Sequence, residues 1–194
     1  KEGFDIVIGN PPYGAKLSIE EKAKYRLLYP ETQFKVDTYS LFILKAMGLM
    51  IKGGICTYII PNTFLDNFYE EHVRIKLLKS YQLYEVNDLN DKVFNGAVVH
   101  AMIMSFINLC PKCYDVNINI SSNLYGDTFK IPVNYFKTLD YHMISIRSYH
   151  SNDLLTKISI NSIPLKQIVD IRQAIKSGND KLYIHREKLA DNYK

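Results

Sequence analysis

The chain has 194 residues, of which 47% are hydrophobic and 23% charged, and its formal net charge is +4. This length suggests one domain or slightly more, with enough apolar side chains to bury a core. No apolar run of about 18 residues is present, and no basic segment precedes an apolar stretch, so neither a membrane span nor a secretory signal is expected. Because the chain begins at Lys1 without an initiator methionine, we expect it to be part of a longer protein.

Positive charge is concentrated toward the carboxyl end. Residues 166–194 hold seven Lys or Arg against four Asp or Glu, which is +3 of the net +4. Such a segment can face phosphates, and from charge alone a solvated surface is an equally good interpretation.

Three cysteines, Cys56, Cys110 and Cys113, suit the reducing cytoplasm better than a disulfide framework. Cys110-Pro-Lys-Cys113 has the spacing of half a zinc site. No second pair of this kind exists in the sequence, so a tight turn is the preferred interpretation and no metal is expected.

The first predicted element is a short buried strand. Residues 4–9 form an apolar run that ends at Asn10-Pro11-Pro12, which predicts a strand closed by a rigid turn. Residues 14–36 show no clean apolar period, which predicts a loop with a possible short helix and a candidate lid.

A helix with one buried face is predicted next, beginning at Asp37 or Thr38 and ended by Gly53-Gly54. Apolar residues there recur at three- and four-residue spacing, namely Tyr39, Phe42, Ile43, Ala46 and Met50.

Further elements alternate between strand and helix. Strands are predicted over residues 55–60, 81–86 and 98–107, with an amphipathic helix over 67–79 that buries Phe68, Val73 and Leu77. This alternation indicates an α/β fold with a mostly parallel sheet. Only about ten residues separate the last two strands, which favours an antiparallel hairpin at the edge of the sheet.

The region beyond the hairpin is less regular. Residues 115–120 alternate between polar and apolar, which predicts an exposed strand, and residues 121–140 look irregular. Residues 153–160 and 165–175 are compatible with either helices or strands.

The turn Asn10-Pro11-Pro12-Tyr13 is the feature that indicates chemistry. Ligands of open α/β sheets bind at the carboxyl ends of the strands. Two acceptors there, the Asn10 side-chain oxygen and the Pro11 carbonyl, would favour attack by the amino group of adenine, because their effect grows as the nitrogen becomes positive. The prolines fix the backbone, and Tyr13 offers a flat face to a base extruded from the duplex.

The segment from Phe4 to Gly14 resembles the catalytic motif of the gamma-class adenine-N6 DNA methyltransferases of restriction–modification systems. Other segments resemble successive parts of the same family: residues 37–42 with Gly53-Gly54, residues 59–64, Val93-Phe94 with the strand 97–106, and residues 163–172 and 175–178.

This resemblance implies a fold, a reaction and a set of roles. The fold would be the C-terminal half of a Rossmann-like class I methyltransferase, in residues 1–110, followed by a connecting region (111–160) and the start of a target-recognition domain (161–194). Asn10, Pro11, Pro12 and Tyr13 would be catalytic, with Tyr13 and Phe94 stacking on the adenine.

The cofactor implied by the family is S-adenosylmethionine, with Phe42 and Pro12 lining its adenine pocket. The glycine-rich loop and the acidic residues that bind this cofactor in the family are absent and are expected on the N-terminal side, so the fragment alone is expected to be inactive. Asn95, Gly96 and Ala97 stand where some relatives carry a basic residue, which puts a phosphate contact there in doubt.

Expected partners are double-stranded DNA and a fused or associated nuclease. The absence of a Pro-Cys dipeptide disfavours covalent methylation of cytosine carbon. Methylation of a protein glutamine or of an RNA adenine remains open, because the chemistry at the amine is similar, and so does a non-catalytic DNA-binding fragment.

Overall fold

The computed structural model describes residues 2–89, 100–120 and 128–146, together with Tyr149 and scattered positions between 154 and 169. The chain divides into two compact units, Lys1–His150 and Ser151–Lys194. In the second unit, the described residues include a 3-10 turn over Leu165–Gln167. The predicted boundaries at 110 and 160, and the predicted recognition region 161–194, stay predictions.

Within the described residues, the first unit contains six strands and four α-helices. The strands are β1 (Phe4–Gly9), β2 (Met50–Pro61), β3 (Gln82–Asp88), β4 (Ala101–Ile107), β5 (Asp115–Ile120) and β6 (Thr128–Pro132). The helices are α1 (Ile19–Leu28), α2 (Thr38–Leu49), α3 (Glu71–Ser80) and α4 (Val133–Thr138). No helix among these residues is long and apolar enough to cross a membrane.

The six strands form one mixed sheet in the order β1-β2-β4-β3-β5-β6. Strand β1 pairs with β2, and β3 with β5, in parallel, whereas β4 is antiparallel to both β2 and β3. Four strands therefore share one direction, which confirms the predicted α/β class. The predicted hairpin is β3–β4, but its placement at the edge was wrong, because β4 inserts next to β2 and β5 pairs with the other side of β3.

The prediction that Gly53-Gly54 ends helix α2 was wrong. The helix ends at Leu49, and Gly53 and Gly54 lie inside β2, at an irregular start where the register with β1 shifts. A Cβ at Gly54 would lie 2.8 Å from the Phe4 carbonyl oxygen, so the close approach of β1 requires a glycine there.

Residues 121–140 were predicted to be irregular, but the described part of this stretch, residues 128–140, contains regular elements. Strand β6 and helix α4 lie in this stretch, with β6 paired antiparallel to β5. The predicted strand 115–120 is present, but it is not exposed, because Val116 and Ile118 are fully buried. The sheet thus extends two strands beyond the hairpin.

The hydrophobic core lies between the sheet and helices α2 and α3. It includes Ile43 and Ala46 of α2, Val73 and Leu77 of α3, and Phe106 of β4, all fully buried. Two aromatic residues assigned to buried helix faces, Phe42 and Phe68, are instead 45% and 42% exposed.

Strand β1 presents an exposed apolar row. Phe4, Ile6 and Ile8 alternate along it and are 58%, 67% and 78% exposed, while Val7 between them packs on the core. Ile6 and Ile8 are in register with Ile55 and Thr57 of β2, so this row continues one face of the sheet.

Helix α1 follows the turn after β1 and confirms the possible short helix between 14 and 36. Ser18 and Glu21 form a capping box at its start, which satisfies backbone N–H groups there. None of its residues is buried, so local capping rather than packing defines it. Its role as a lid stays a prediction.

Candidate active site

The carboxyl ends of β1, β2 and β3 lie at one edge of the sheet, because these strands run in the same direction. The chain leaves β1 through residues 10–13, leaves β2 through a 3-10 turn at Asn62–Leu65, and leaves β3 at Leu89. This edge is where open α/β sheets bind ligands.

The turn after β1 alternates between exposed and buried positions. Asn10 and Pro12 are exposed, Pro11 is buried, and Tyr13 is half-buried with its ring against the hydrophobic core. The Asn10 side chain is therefore available to a ligand at the sheet edge, while Pro11 anchors the turn.

Tyr58 forms the support under this turn. It is the register partner of Gly9, and a Cβ at Gly9 would lie 3.3 Å from the Tyr58 ring, so the ring packs directly against the backbone that enters the turn. Burial, with Cys56 nearby as a secondary cause, raises the pKa of Tyr58 to about 12. Burial likewise raises the pKa of the Cys56 thiol to about 12.

The start of helix α2 holds the turn at two points. The Thr38 hydroxyl donates to the Pro12 carbonyl oxygen at 2.6 Å. The Gly14 N–H donates to Asp37 Oδ1 at 3.4 Å, and Lys35 pairs with the same carboxylate at 3.3 Å. The helix was predicted to begin at Asp37 or Thr38, and Asp37 is its N-cap residue. The Asp37 side chain makes no capping hydrogen bond.

Glu70 is a buried carboxylate next to the same helix start. It is 1% exposed, and its two oxygens accept from Tyr39 Oη at 3.1 Å and from Ser40 Oγ at 2.6 Å. Burial raises the pKa of Glu70, and the two hydroxyl donors act in the opposite direction. Burial and the neighbouring Glu70 charge raise the pKa of Tyr39 far above its ordinary value.

A cleft opens at the ends of β2 and β3, at the same edge of the sheet as the turn after β1. Asn62 Nδ2 donates to Asp88 Oδ1 at 3.2 Å, which joins the two strand ends. The cleft has a volume of about 170 Å³ and is lined by Asn62, Thr63, Leu65, Asp66, Asp88, Ile144, Ser145 and Ile146.

Arg74 fixes the segment that forms the far wall of this cleft. It is fully buried and donates to the carbonyl oxygens of Phe64, Asn67, Tyr141 and His142 at 2.8 to 3.0 Å. Tyr141 and His142 have positive φ angles of 56° and 48°, so the guanidinium holds a strained backbone.

The structure describes all of the predicted site residues except Phe94. Asn10, Pro11, Pro12 and Tyr13 lie together, and Phe42 lies on α2 one helical turn after Thr38, on the same side of the helix. Phe94 lies outside the described residues, so the pairing of Tyr13 and Phe94 around a base stays a prediction. Cys110 and Cys113 are exposed free thiols, and no cluster of metal ligands occurs in the part of the chain that is described.

Four residues with contacts in this region were missed by sequence reasoning: Thr38 beyond its helix-start role, Glu70, Asn62 and Asp88. Hydroxyl residues at 38 and 40 flanking Tyr39 were the available signal for the first two. The partner of each lies 26 to 31 residues away, and no local pattern identifies it.

The chain has the fold of class I methyltransferases. It is similar to a modification subunit of a putative type I restriction enzyme from Vibrio vulnificus, with a TM-score of 0.57 and 16% identity over 70% of this chain and 35% of that one. It is also similar to a putative class I S-adenosylmethionine-dependent methyltransferase from Listeria monocytogenes, with a TM-score of 0.51 and 19% identity over 64% of this chain and 39% of that one.

Residues 1–94 match the model of the Eco57I restriction-modification methylase family. The chain is 30% identical to the type II methyltransferase M.BstVI of Geobacillus stearothermophilus over 93% of its own length and 37% of that protein. It is 36% identical to M.BanIII of Aneurinibacillus aneurinilyticus over 52% of its own length and 18% of that protein.

A third relative joins two activities in its name. This putative type II restriction enzyme and methyltransferase from Methanocaldococcus jannaschii is 32% identical over 60% of this chain and 10% of that protein. The chain therefore spans between a tenth and about two fifths of the curated relatives described here.

Proposed function

We propose that this chain is the catalytic part of a DNA methyltransferase of a restriction–modification system, which transfers a methyl group from S-adenosylmethionine to N6 of an adenine flipped out of the duplex. The observation that carries the proposal is the exposed Asn10 side chain in a proline-stiffened turn at the carboxyl end of β1. The family match and the type II relatives support the reaction class.

The proposed chemistry follows from the weakness of the nucleophile. The lone pair of the adenine amino group is delocalised into the ring, so the nitrogen must become tetrahedral to attack. Acceptors on Asn10 and on the Pro11 carbonyl would bind its two N–H groups most strongly as positive charge develops. Pro11 and Pro12 lock two φ angles, so this arrangement exists before the base arrives.

Two exposed apolar residues near the turn fit the cofactor's adenine moiety. Phe42 is 45% exposed on α2, and Pro12 is exposed and held by Thr38 from the same side of that helix. These residues would hold one apolar edge of S-adenosylmethionine, which supplies an electrophilic methyl group when bound. Groups that bind its ribose and methionine parts would come from the N-terminal side, as the family resemblance implies.

Double-stranded DNA is the proposed partner. Tyr13 would stack on the extruded adenine with Phe94 on the other side, and the basic segment 166–194 would face phosphates. A nuclease fused to the complete protein is also proposed, because the Methanocaldococcus relative is named as both restriction enzyme and methyltransferase.

The proposal is tested by incubating the complete protein with S-adenosylmethionine, carrying a labelled methyl group, and double-stranded oligonucleotides. Label recovered as N6-methyladenine is expected, and Asn10→Ala is expected to lower the transfer rate by about 100-fold or more. Asn117→Ala is the matched control, because Asn117 lies on β5, away from the turn, and its amide donates to the Tyr84 carbonyl oxygen of β3. Label on cytosine, on RNA alone or on a protein glutamine would refute the proposal, as would no transfer at all.

A further inference from the structure

Three consecutive hydroxyl side chains at the start of α2 connect a buried charge to the catalytic turn. Tyr39 and Ser40 donate to the Glu70 carboxylate at 3.1 and 2.6 Å. Thr38, next to them, donates to the Pro12 carbonyl oxygen at 2.6 Å. The first turn of α2 is thus bonded on one side to Glu70 and on the other to the turn.

The burial of this network makes it rigid. Glu70, Ser40 and Tyr39 are 1%, 0% and 3% exposed. A carboxylate without water to replace its partners must keep both hydroxyl donors, because the loss of either leaves a buried charge under-bonded. The N-cap residue Asp37 makes no side-chain capping bond, so Glu70 supplies side-chain anchoring that the cap does not.

The contact at Pro12 removes one of the few remaining freedoms of the turn. The φ angles of Pro11 and Pro12 are fixed by their rings, and the peptide bonds are planar, which leaves the two ψ angles. The bond from Thr38 fixes the direction of the Pro12 carbonyl, and hence its ψ angle. A displacement of about 1 Å in such a site can lower a rate by about 100-fold.

We propose that Glu70 is a positioning residue for methyl transfer: it anchors the first turn of α2, and Thr38 on that turn holds the Pro12 carbonyl so that the Asn10 and Pro11 acceptors stay in place. Glu70 does not touch the substrate and acts through Thr38. This inference rests on the proposed function of the turn.

The test is a double-mutant cycle in the complete enzyme, with Glu70→Gln, Thr38→Val and the double variant. Single-turnover transfer to an oligonucleotide is measured under saturating DNA and S-adenosylmethionine, well below the melting temperature of each variant. Each single change is expected to lower the rate by about 10- to 100-fold, with DNA affinity unchanged. The double variant is expected to be about as slow as the slower single variant, because both changes break one connection. If the two losses multiply, the proposal is overturned.

Two controls separate positioning from stability. Thr38→Ser keeps the hydroxyl and is expected to restore most of the rate lost in Thr38→Val; equal losses in both would refute the role of the bond. Thr57→Val removes a comparable 2.9 Å hydroxyl contact with Ser105 and is expected to affect stability but not the transfer rate. If Glu70→Gln does not fold, Ser40→Ala, which removes the 2.6 Å bond alone, takes its place in the cycle.

Failure of this inference is distinguishable from failure of the proposed function. Mass spectrometry of the labelled oligonucleotide identifies the methylated atom independently of any variant. A methyl group on another atom would refute the proposed function, whereas the contrast between Thr38→Ser and Thr38→Val would still decide whether Thr38 positions the turn for that transfer.

Discussion

The Glu70 carboxylate and the Arg74 guanidinium lie four residues apart in sequence, are both almost fully buried, and bind different neighbours. Glu70 accepts from two hydroxyls of α2, whereas Arg74 donates to four backbone carbonyls of the turn after β2 and of residues 141–142. The start of α3 therefore joins three segments at the carboxyl edge of the sheet, close to the proposed site.

Replacing Arg74 by Met is expected to lower the free energy of unfolding by about 3 kcal/mol or more. The change leaves four carbonyl oxygens without their donor, and each unsatisfied buried group costs about 1 to 3 kcal/mol unless water enters. Urea unfolding followed by circular dichroism measures the loss. Lys76→Met, which removes a half-exposed pair with Glu31, is the control and is expected to cost under about 1 kcal/mol. Equal losses would contradict the prediction.

Gly54→Ala is expected to destabilise the protein by about 1 to 3 kcal/mol. The added Cβ would lie 2.8 Å from the Phe4 carbonyl oxygen and 3.0 Å from that of Ile51, and backbone atoms cannot move aside cheaply. Gly48→Ala is the matched control, since nothing lies within 4 Å of its Cβ position in α2, and a gain of about 0.5 to 1 kcal/mol is expected. Thermal unfolding of both variants compares them, and a stable Gly54→Ala protein would show that the approach of β1 is looser.

The stability of the protein is expected to fall as pH rises from about 10 to about 12, in part because of Tyr58. Its pKa is raised by burial from about 10 to about 12, so over this window the native state retains a proton that the unfolded state has lost. Tyr58→Phe is expected to reduce the slope of unfolding free energy against pH. Tyr84→Phe, at a ring that is 46% exposed, is the control and is expected to keep the wild-type slope.

Ile8→Ser is expected to change the stability of the 194-residue chain by less than about 0.5 kcal/mol, because Ile8 is 78% exposed. In the complete protein, the same change is expected to cost about 1 to 2 kcal/mol if the cofactor-binding half packs on this face. Val7→Ser, on the neighbouring residue that packs against the core, is expected to destabilise both forms. A similar small effect of Ile8→Ser in both forms would argue against packing on this row.

The 194-residue chain alone is expected to give no measurable heat with S-adenosylmethionine in a calorimeter. In the proposed site Pro12 and Phe42 would supply only an apolar edge, and the residues that hold the ribose and methionine parts are expected elsewhere. The complete protein serves as the positive control. A clear binding heat for the chain alone would mean that its own residues form the cofactor site.

Features that depend on neighbours in the chain were predictable. The apolar run of β1 and the Asn10–Tyr13 turn are consecutive residues whose backbone preferences are local, and the helical spacing of Tyr39, Ile43 and Ala46 directly indicates a buried face. The same periodicity wrongly assigned Phe42 to the buried face, because spacing along a helix does not show where the neighbouring elements stop covering it.

Strand order and the contacts behind the turn were decided only by the tertiary structure. A short connection between β3 and β4 is compatible with β4 at an edge or between two strands, so sequence spacing did not place it between β2 and β3. Thr38 meets Pro12 across 26 residues and Glu70 meets Ser40 across 30 because parallel strands bring their ends to one edge of the sheet. Such contacts arise from packing, which no local pattern encodes.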